Sequence, residues 1–216
     1  MEELVGDVLA LLDSIGQERV HLVGHDWGGA LGWVVARMHP ERLASLTVLS
    51  TPHPDALMWA MTHSGQAVRS WYMFFMQVPV VPELVLAAAL RAGYTHRVGL
   101  PAEFAAAYQR RLGEPDAIRG GINWYRGMFL PPPRTRGTHA AGAGEPKRGA
   151  VGPIGVPTTY VWGRHDPFLG GAAARRTGTL VEADYRFVEL DAGHWLPECH
   201  AAEVAEAIIA RATSAV

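Results

Sequence analysis

The six residues Gly24-His25-Asp26-Trp27-Gly28-Gly29 constrain this chain more than any other feature of it. Residues 20–23, just before them, form a short apolar run with β-branched ends, bounded by Arg19 and Gly24, which suits a buried strand. Residues 24–29 are too rich in glycine to continue either element, and residues 30–38 read as a helix stopped before Pro40. Small residues two positions either side of Asp26 permit a strained backbone that projects the central side chain over the carboxyl end of the sheet. The helix that follows directs free N–H groups at the same place, which favours a carboxylate there. The plain alternative is an aspartate that only caps the helix.

The rest of the chain supplies the sheet that such a turn needs. Leu4, Val8, Leu11, Leu12 and Ile15 recur at helical spacing, and Gly16 follows where a left-handed cap is usual. Residues 43–49 read as a second apolar strand, so the opening alternates helix and strand in the manner of a parallel sheet covered by helices. After Thr51-Pro52-His53-Pro54 the character changes: residues 66–77, 82–91, 101–112 and 115–128 read as helices with no strand among them. Residues 131–153 are dense in Pro, Gly, Ala and Arg without periodicity and read as a flexible linker. Strand pattern returns at 156–162 and 185–190, and an amphipathic helix over 203–211 closes the chain. The expected class is α/β, a mostly parallel sheet flanked by helices. Core segments at 1–51 and 154–216 are separated by an all-helical lid over 52–130 and the linker.

Composition narrows the partners. With 19 Lys and Arg against 21 Asp and Glu, the net charge of −2 gives no basic field for phosphate backbones or anionic lipids. Nucleic acid and membrane are therefore not expected partners. The single cysteine, Cys199, excludes an internal disulfide framework and fits a reducing compartment. The acidic start Met1-Glu2-Glu3-Leu4 is unlike a secretory signal, and the most apolar stretch, residues 72–90, is interrupted by Gln77, Pro79, Pro82 and Glu83. These features read as a soluble, cytoplasmic protein. His21, His39, His53, His96, His139 and His200 carry no metal-ligand spacing, so neither metal nor cofactor is expected.

Two further loops carry chemistry. Val161-Trp162-Gly163-Arg164-His165-Asp166 places an aspartate just past a strand, and Ala192-Gly193-His194-Trp195 places a histidine just past the next. Asp26, Asp166 and His194 thus stand in the order nucleophile, acid, histidine, each at a strand's carboxyl end, the edge of an α/β sheet where ligands bind. His25 and His165, their neighbours, are expected to serve packing and loop hydrogen bonds.

On these residues the chain resembles the epoxide hydrolase branch of the α/β-hydrolases. The segment 24–29 is similar to the nucleophile elbow of that family, with aspartate where esterases carry serine. The elbow is shared with haloalkane dehalogenases, so the lid decides between the two. Ser70-Trp71-Tyr72-Met73-Phe74-Phe75 and Ile122-Asn123-Trp124-Tyr125-Arg126 resemble the segments from which epoxide hydrolases present paired tyrosines, here Tyr72 and Tyr125. The resemblance implies that these tyrosines donate to the oxygen of a small apolar epoxide while Asp26 attacks its carbon. His194, oriented by Asp166, then activates water against the resulting ester.

The Trp27 backbone N–H would hold the oxyanion. The family's second donor comes from a His-Gly-x-Pro loop, which does not occur in these residues, nor do the strands that normally precede the first helix. The expectation is therefore that these 216 residues alone fold poorly and turn over little. The competing readings are a haloalkane dehalogenase using the same aspartate, and a catalytically silent α/β-hydrolase fragment lacking the oxyanion loop. A serine esterase is disfavoured because no serine occupies the turn.

Overall fold

The computed structural model describes residues 1–128 and 150–214. Helix α1 (Glu2–Ser14) leads into strand β1 (Val20–His25), helix α2 (Trp27–Met38) and strand β2 (Leu43–Leu49). Gly16 adopts φ +67° just beyond α1, the left-handed conformation a glycine takes cheaply. The turn expected over 24–29 is shorter than its composition suggests. The strand runs through His25 and the helix begins at Trp27, leaving Asp26 alone between them. Gly28 and Gly29 lie in the first helical turn, where a cheap backbone matters less than close approach. A Cβ on Gly29 would stand 2.8 Å from Val48 Cγ1, so glycine lets α2 settle against β2.

The intervening segment is helical: α3 (Pro54–His63), α4 (Gln66–Arg69), α5 (Trp71–Phe75), α6 (Val81–Arg91), α7 (Tyr94–Arg97), α8 (Ala102–Leu112) and α9 (Pro115–Gly127). Two elements differ from the sequence reading. Residues 54–63, given no helix of their own in the sequence reading, form α3, started by Pro54 in the first turn and by the His53 ring accepting from the Asp55 N–H. The single helix expected over 66–77 is broken at Ser70, whose hydroxyl accepts from Gln66 Nε2 at 2.8 Å, and α5 begins again at Trp71.

Of the expected linker, residues 131–149 lie outside the described residues. Val151 and Gly152 are held, each donating its N–H to the Asp55 carboxylate at 2.8 Å. The chain then forms β3 (Thr158–Gly163), α10 (Gly171–Arg176), β4 (Tyr185–Leu190), α11 (Leu196–Cys199) and α12 (Ala201–Ser214). Single-turn helices at Pro40–Arg42 and Thr177–Leu180 complete the connections.

The four strands are parallel in the order β1-β2-β3-β4. β2 and β3 are buried almost throughout, as the apolar run at 43–49 suggests for β2, whereas β1, which reads as a buried run over 20–23, exposes His21 and Val23, and β4 exposes Arg186 and Glu189. One face packs Trp33, Val35, Leu46, Val48, Tyr160 and Trp162 beneath α1 and α2. The other packs Leu49, Val161, Ala192, Leu196 and Val204 beneath α12. Register sets the working edge. His25 lies beside Leu49, Leu49 beside Val161, and Gly163 beside Leu190, so the strands end together and release their loops at one level. β1 stands at the sheet's edge among the described residues, with Val23 40% exposed.

Candidate active site

Asp26 takes φ 50° and ψ −119°, a conformation an L-residue holds only under constraint, and one that stores roughly 1–3 kcal/mol of strain. The surroundings supply the constraint. The Asp26 N–H donates to the Leu49 carbonyl at 3.3 Å, and its own carbonyl accepts from Ala30 N–H at 2.9 Å and Thr51 Oγ1 at 2.8 Å. A Cβ on Gly24 would overlap the Gly28 carbonyl, so the chain can double back this tightly only over glycine. The side chain makes no capping bond to α2. It points instead to His194, whose Nε2 stands 3.6 Å from Asp26 Oδ1, and it is 43% exposed.

Asp166, on the loop after β3, has no exposed side-chain surface. Its Oδ1 accepts the N–H groups of Phe168 at 2.8 Å and Leu169 at 3.0 Å, and its Oδ2 faces His194 Nδ1 at 2.8 Å. A carboxylate only accepts, so His194 donates from Nδ1 and presents a bare Nε2 to Asp26. Gly163 lets the two loops meet, since a Cβ there would overlap the carbonyls of Ala192 and Gly193. Burial by itself would lower the His194 pKa. The Asp166 hydrogen bond and charge, with the charges of Asp26 and Glu198, outweigh it and hold the imidazole above its ordinary 6.5.

The backbone beneath His194 is fixed as firmly as its ring. The His194 carbonyl accepts from Ser50 Oγ at 2.9 Å and from His25 Nε2 at 3.0 Å. A carbonyl cannot donate, so His25 carries its proton on Nε2. Burial and the nearby His194 push the His25 pKa down, which favours that neutral form. His165 forms its bond with Asp191 at 2.7 Å, on the surface.

The lid brings both expected tyrosines to this edge. The ring of Tyr125, on α9, meets Trp27 edge-on at 4.9 Å between centroids, and the ring of Tyr72, on α5, meets Tyr125 at 5.8 Å. Phe168 spans from Tyr72 at 5.8 Å to the His194 ring at 5.1 Å. Burial and the Asp26 charge push the Tyr125 hydroxyl up to about 12, against a hydrogen bond with Trp27 that opposes them. Burial, Tyr125, Asp26 and Asp166 push Tyr72 further still. Both phenols are therefore protonated donors near neutrality.

Contacts invisible in the sequence hold the lid in place. Buried Gln66 donates to the Phe168 carbonyl at 2.7 Å and accepts the Gly170 N–H at 2.8 Å, while Arg69 donates to the carbonyls of Asp166 and Pro167 at 3.2 Å. Gln77 donates to the Tyr125 carbonyl at 3.0 Å. Arg126 grips both oxygens of buried Glu83, at 2.7 and 3.1 Å, and the carbonyls of Met76 and Val78.

Ser50, Gln66, Phe168 and Glu198 are thus parts of the site that sequence reasoning missed. Ser50 was within reach, because it follows β2 as Asp26 follows β1. Gln66 and Glu198 sit on helices and give no such sign.

Asp26, Tyr72, Tyr125 and His194 open on one cavity of about 570 Å³, walled mainly by apolar side chains of α5, α6, α8 and α9. Among the described residues no group of three or more His, Cys, Asp or Glu side chains could hold a metal ion, and no helix is long and apolar enough to cross a membrane. The arrangement sets the Asp26 carboxyl group, the His194 imidazole and two tyrosine hydroxyls around an apolar space.

Comparison with known proteins agrees in fold. Residues 1–201 match the family described as alpha/beta hydrolase fold. Human epoxide hydrolase 4 is 31% identical over 209 residues, covering 90% of this chain and 54% of that protein. Epoxide hydrolase A of Mycobacterium tuberculosis (strain ATCC 25618 / H37Rv) is 29% identical over 250 residues, covering 97% of this chain and 73% of its own. A solved structure described as "Novel epoxide hydrolases belonging to the alpha/beta hydrolases superfamily in metagenomes from hot environments" superposes with a TM-score of 0.73 at 26% identity, covering 98% of this chain and 73% of the other. The chain spans about half the length of the human relative it matches.

Proposed function

This chain belongs to the α/β-hydrolase fold family, and from that premise we propose that it hydrolyses epoxides to vicinal diols through a covalent ester on Asp26. The observation that carries the reading is the pair of protonated tyrosines, Tyr72 and Tyr125, placed beside the Asp26–His194 pair in one apolar cavity. A strained ring with a poor alkoxide leaving group needs attack on carbon and a proton on oxygen together, and this pairing offers both.

In the first step an Asp26 carboxylate oxygen bonds to a ring carbon, the carbon–oxygen bond breaks, and a tyrosine gives its proton to the departing oxygen. The product is a hydroxyalkyl ester. In the second, His194 Nε2 takes a proton from water as the water oxygen bonds to the ester carbonyl carbon. The backbone N–H of Trp27, in the unpaired first turn of α2, stabilises the oxyanion. Collapse breaks the ester carbon–oxygen bond, the second proton of the added water passes to the departing alkoxide, and the diol leaves Asp26 as a carboxylate. The proton on His194 replaces the one the tyrosine gave, so the sum is epoxide plus water to diol.

A haloalkane dehalogenase would use the same Asp26, but a departing halide needs no proton. The Trp27 indole that could cradle a halide is engaged with Tyr125. Matched epoxide and haloalkane substrates separate the readings. Diol formation without halide release is expected; halide release, or no turnover of either, refutes the proposal.

A further inference from the structure

The cavity holds more room than the reaction needs. Its α9 wall carries Ile118, Gly121, Ile122 and Tyr125, spaced by three and four residues and so aligned as one stripe along the helix. Tyr125 lies at the reacting end, against Trp27. Ile118 stands seven residues earlier in the sequence, which at the α-helical rise places it about 10 Å further along the axis. Leu86 and Leu90 of α6 and Leu112 of α8, the helices packed on α9, also line the cavity. A methyl-sized group fits at Gly121, where a Cβ would meet nothing within 4 Å. Glycine inside a helix is less favourable than alanine, and at this position what it leaves is space one turn before Tyr125. Arg69 also lines the cavity, but its guanidinium is held by the carbonyls of Asp166 and Pro167, on the loop after β3.

Resting on the epoxide hydrolase reading, we infer that the substrate carries a long neutral aliphatic tail laid along the Ile118–Gly121–Ile122 stripe, with Gly121 the residue that sets the room for it. An apolar tail gains from every methylene it takes out of water, and the stripe offers no cation to hold a charged end.

The probe is a series of alkane diols, from butanediol to dodecanediol, whose binding by calorimetry does not depend on turnover. Each added methylene is expected to tighten binding about threefold to fourfold until the stripe is filled. In Gly121→Leu the dependence on tail length should disappear beyond the shortest members. Leucine is the better helix former, so the variant should melt no lower than the parent. A diol of equal length ending in a carboxylate should bind at least tenfold more weakly than its methyl-ended counterpart. Affinity independent of tail length in the parent, full dependence retained in Gly121→Leu, or equal binding of the carboxylate-ended diol would each overturn the inference. Turnover of the matching epoxides is read separately. Tail-dependent diol binding without epoxide hydrolysis would sink the proposed reaction while leaving the tail site standing.

Discussion

Replacing Asp166 by asparagine should separate the two chemical steps, and the structure dictates how. Asp166 Oδ1 holds two backbone N–H groups, at 2.8 and 3.0 Å, and Oδ2 holds His194 Nδ1 at 2.8 Å. The asparagine oxygen must face the two N–H groups. The opposite orientation would set an NH₂ against two buried donors and leave both unpaired, at roughly 1–3 kcal/mol each. The NH₂ therefore faces His194 and donates to Nδ1, which forces the imidazole proton onto Nε2. That is the nitrogen facing Asp26, and in this tautomer it cannot accept a proton from water. Loss of the correct tautomer lowers turnover in related acid–histidine arrangements by about 10⁴, whereas alkylation of Asp26 uses neither His194 nitrogen as a base. Asp166→Asn should thus accumulate a hydroxyalkyl adduct, visible as added intact mass after mixing with epoxide, while its far-ultraviolet circular dichroism stays that of the parent. Turnover within tenfold of the parent, or a folded variant that never alkylates, would refute the reasoning.

Three other outcomes follow from the same geometry. Tyr125→Phe and Tyr72→Phe should slow ring opening by about 10²-fold or more with little change in diol affinity, because the hydroxyls act on charge developing at the transition state; rapid-mixing alkylation rates check this, and an unchanged rate returns the tyrosines to packing. Ester hydrolysis requires neutral His194, whose pKa lies above 6.5 because of Asp166, Asp26 and Glu198, so its rate should fall as pH drops through that raised value. The folding contribution of His194 runs the other way, present below 6.5 and lost as pH rises through the raised value, and esterified Asp26, no longer charged, should shift the kinetic limb to lower pH than the free-enzyme titration. Gly24→Ala should destabilise the chain by about 1–3 kcal/mol in denaturant melts, since its methyl overlaps the Gly28 carbonyl; a stability equal to the parent's would show that the turn is looser than described.

Much of this site could be read in the sequence because its parts follow a local rule. Each expected residue on the sheet, Asp26, Asp166 and His194, comes just after a strand, and a parallel sheet delivers all such positions to one edge. The buried strand β2 announced itself as an apolar run, and residues 43–49 and 185–190 of the sequence reading coincide with β2 and β4, whereas the run at 20–23 reads as buried but forms the half-exposed β1. What stayed hidden depends on contacts between distant residues. Nothing near Gln66 says that its amide bridges to a loop a hundred residues on, and nothing near Ser70 says that the helix breaks there. Helix α3 went without an assignment of its own, and the residues it buries, Ala56 and Ala60, are small rather than a large apolar stripe. The cavity's length was equally out of reach, because it arises from how α6, α8 and α9 pack and not from any one of them.

The claim on which the account turns is that Asp26 itself forms and loses a covalent bond. A single turnover with excess protein in isotopically labelled water tests it directly, because hydrolysis of an Asp26 ester passes a solvent oxygen into the Asp26 carboxylate. Digestion and mass spectrometry should find the label in the peptide carrying Asp26 and not in the first equivalent of diol. Label in the diol alone, with the Asp26 peptide unlabelled, would mean that water opens the ring directly and would contradict the account.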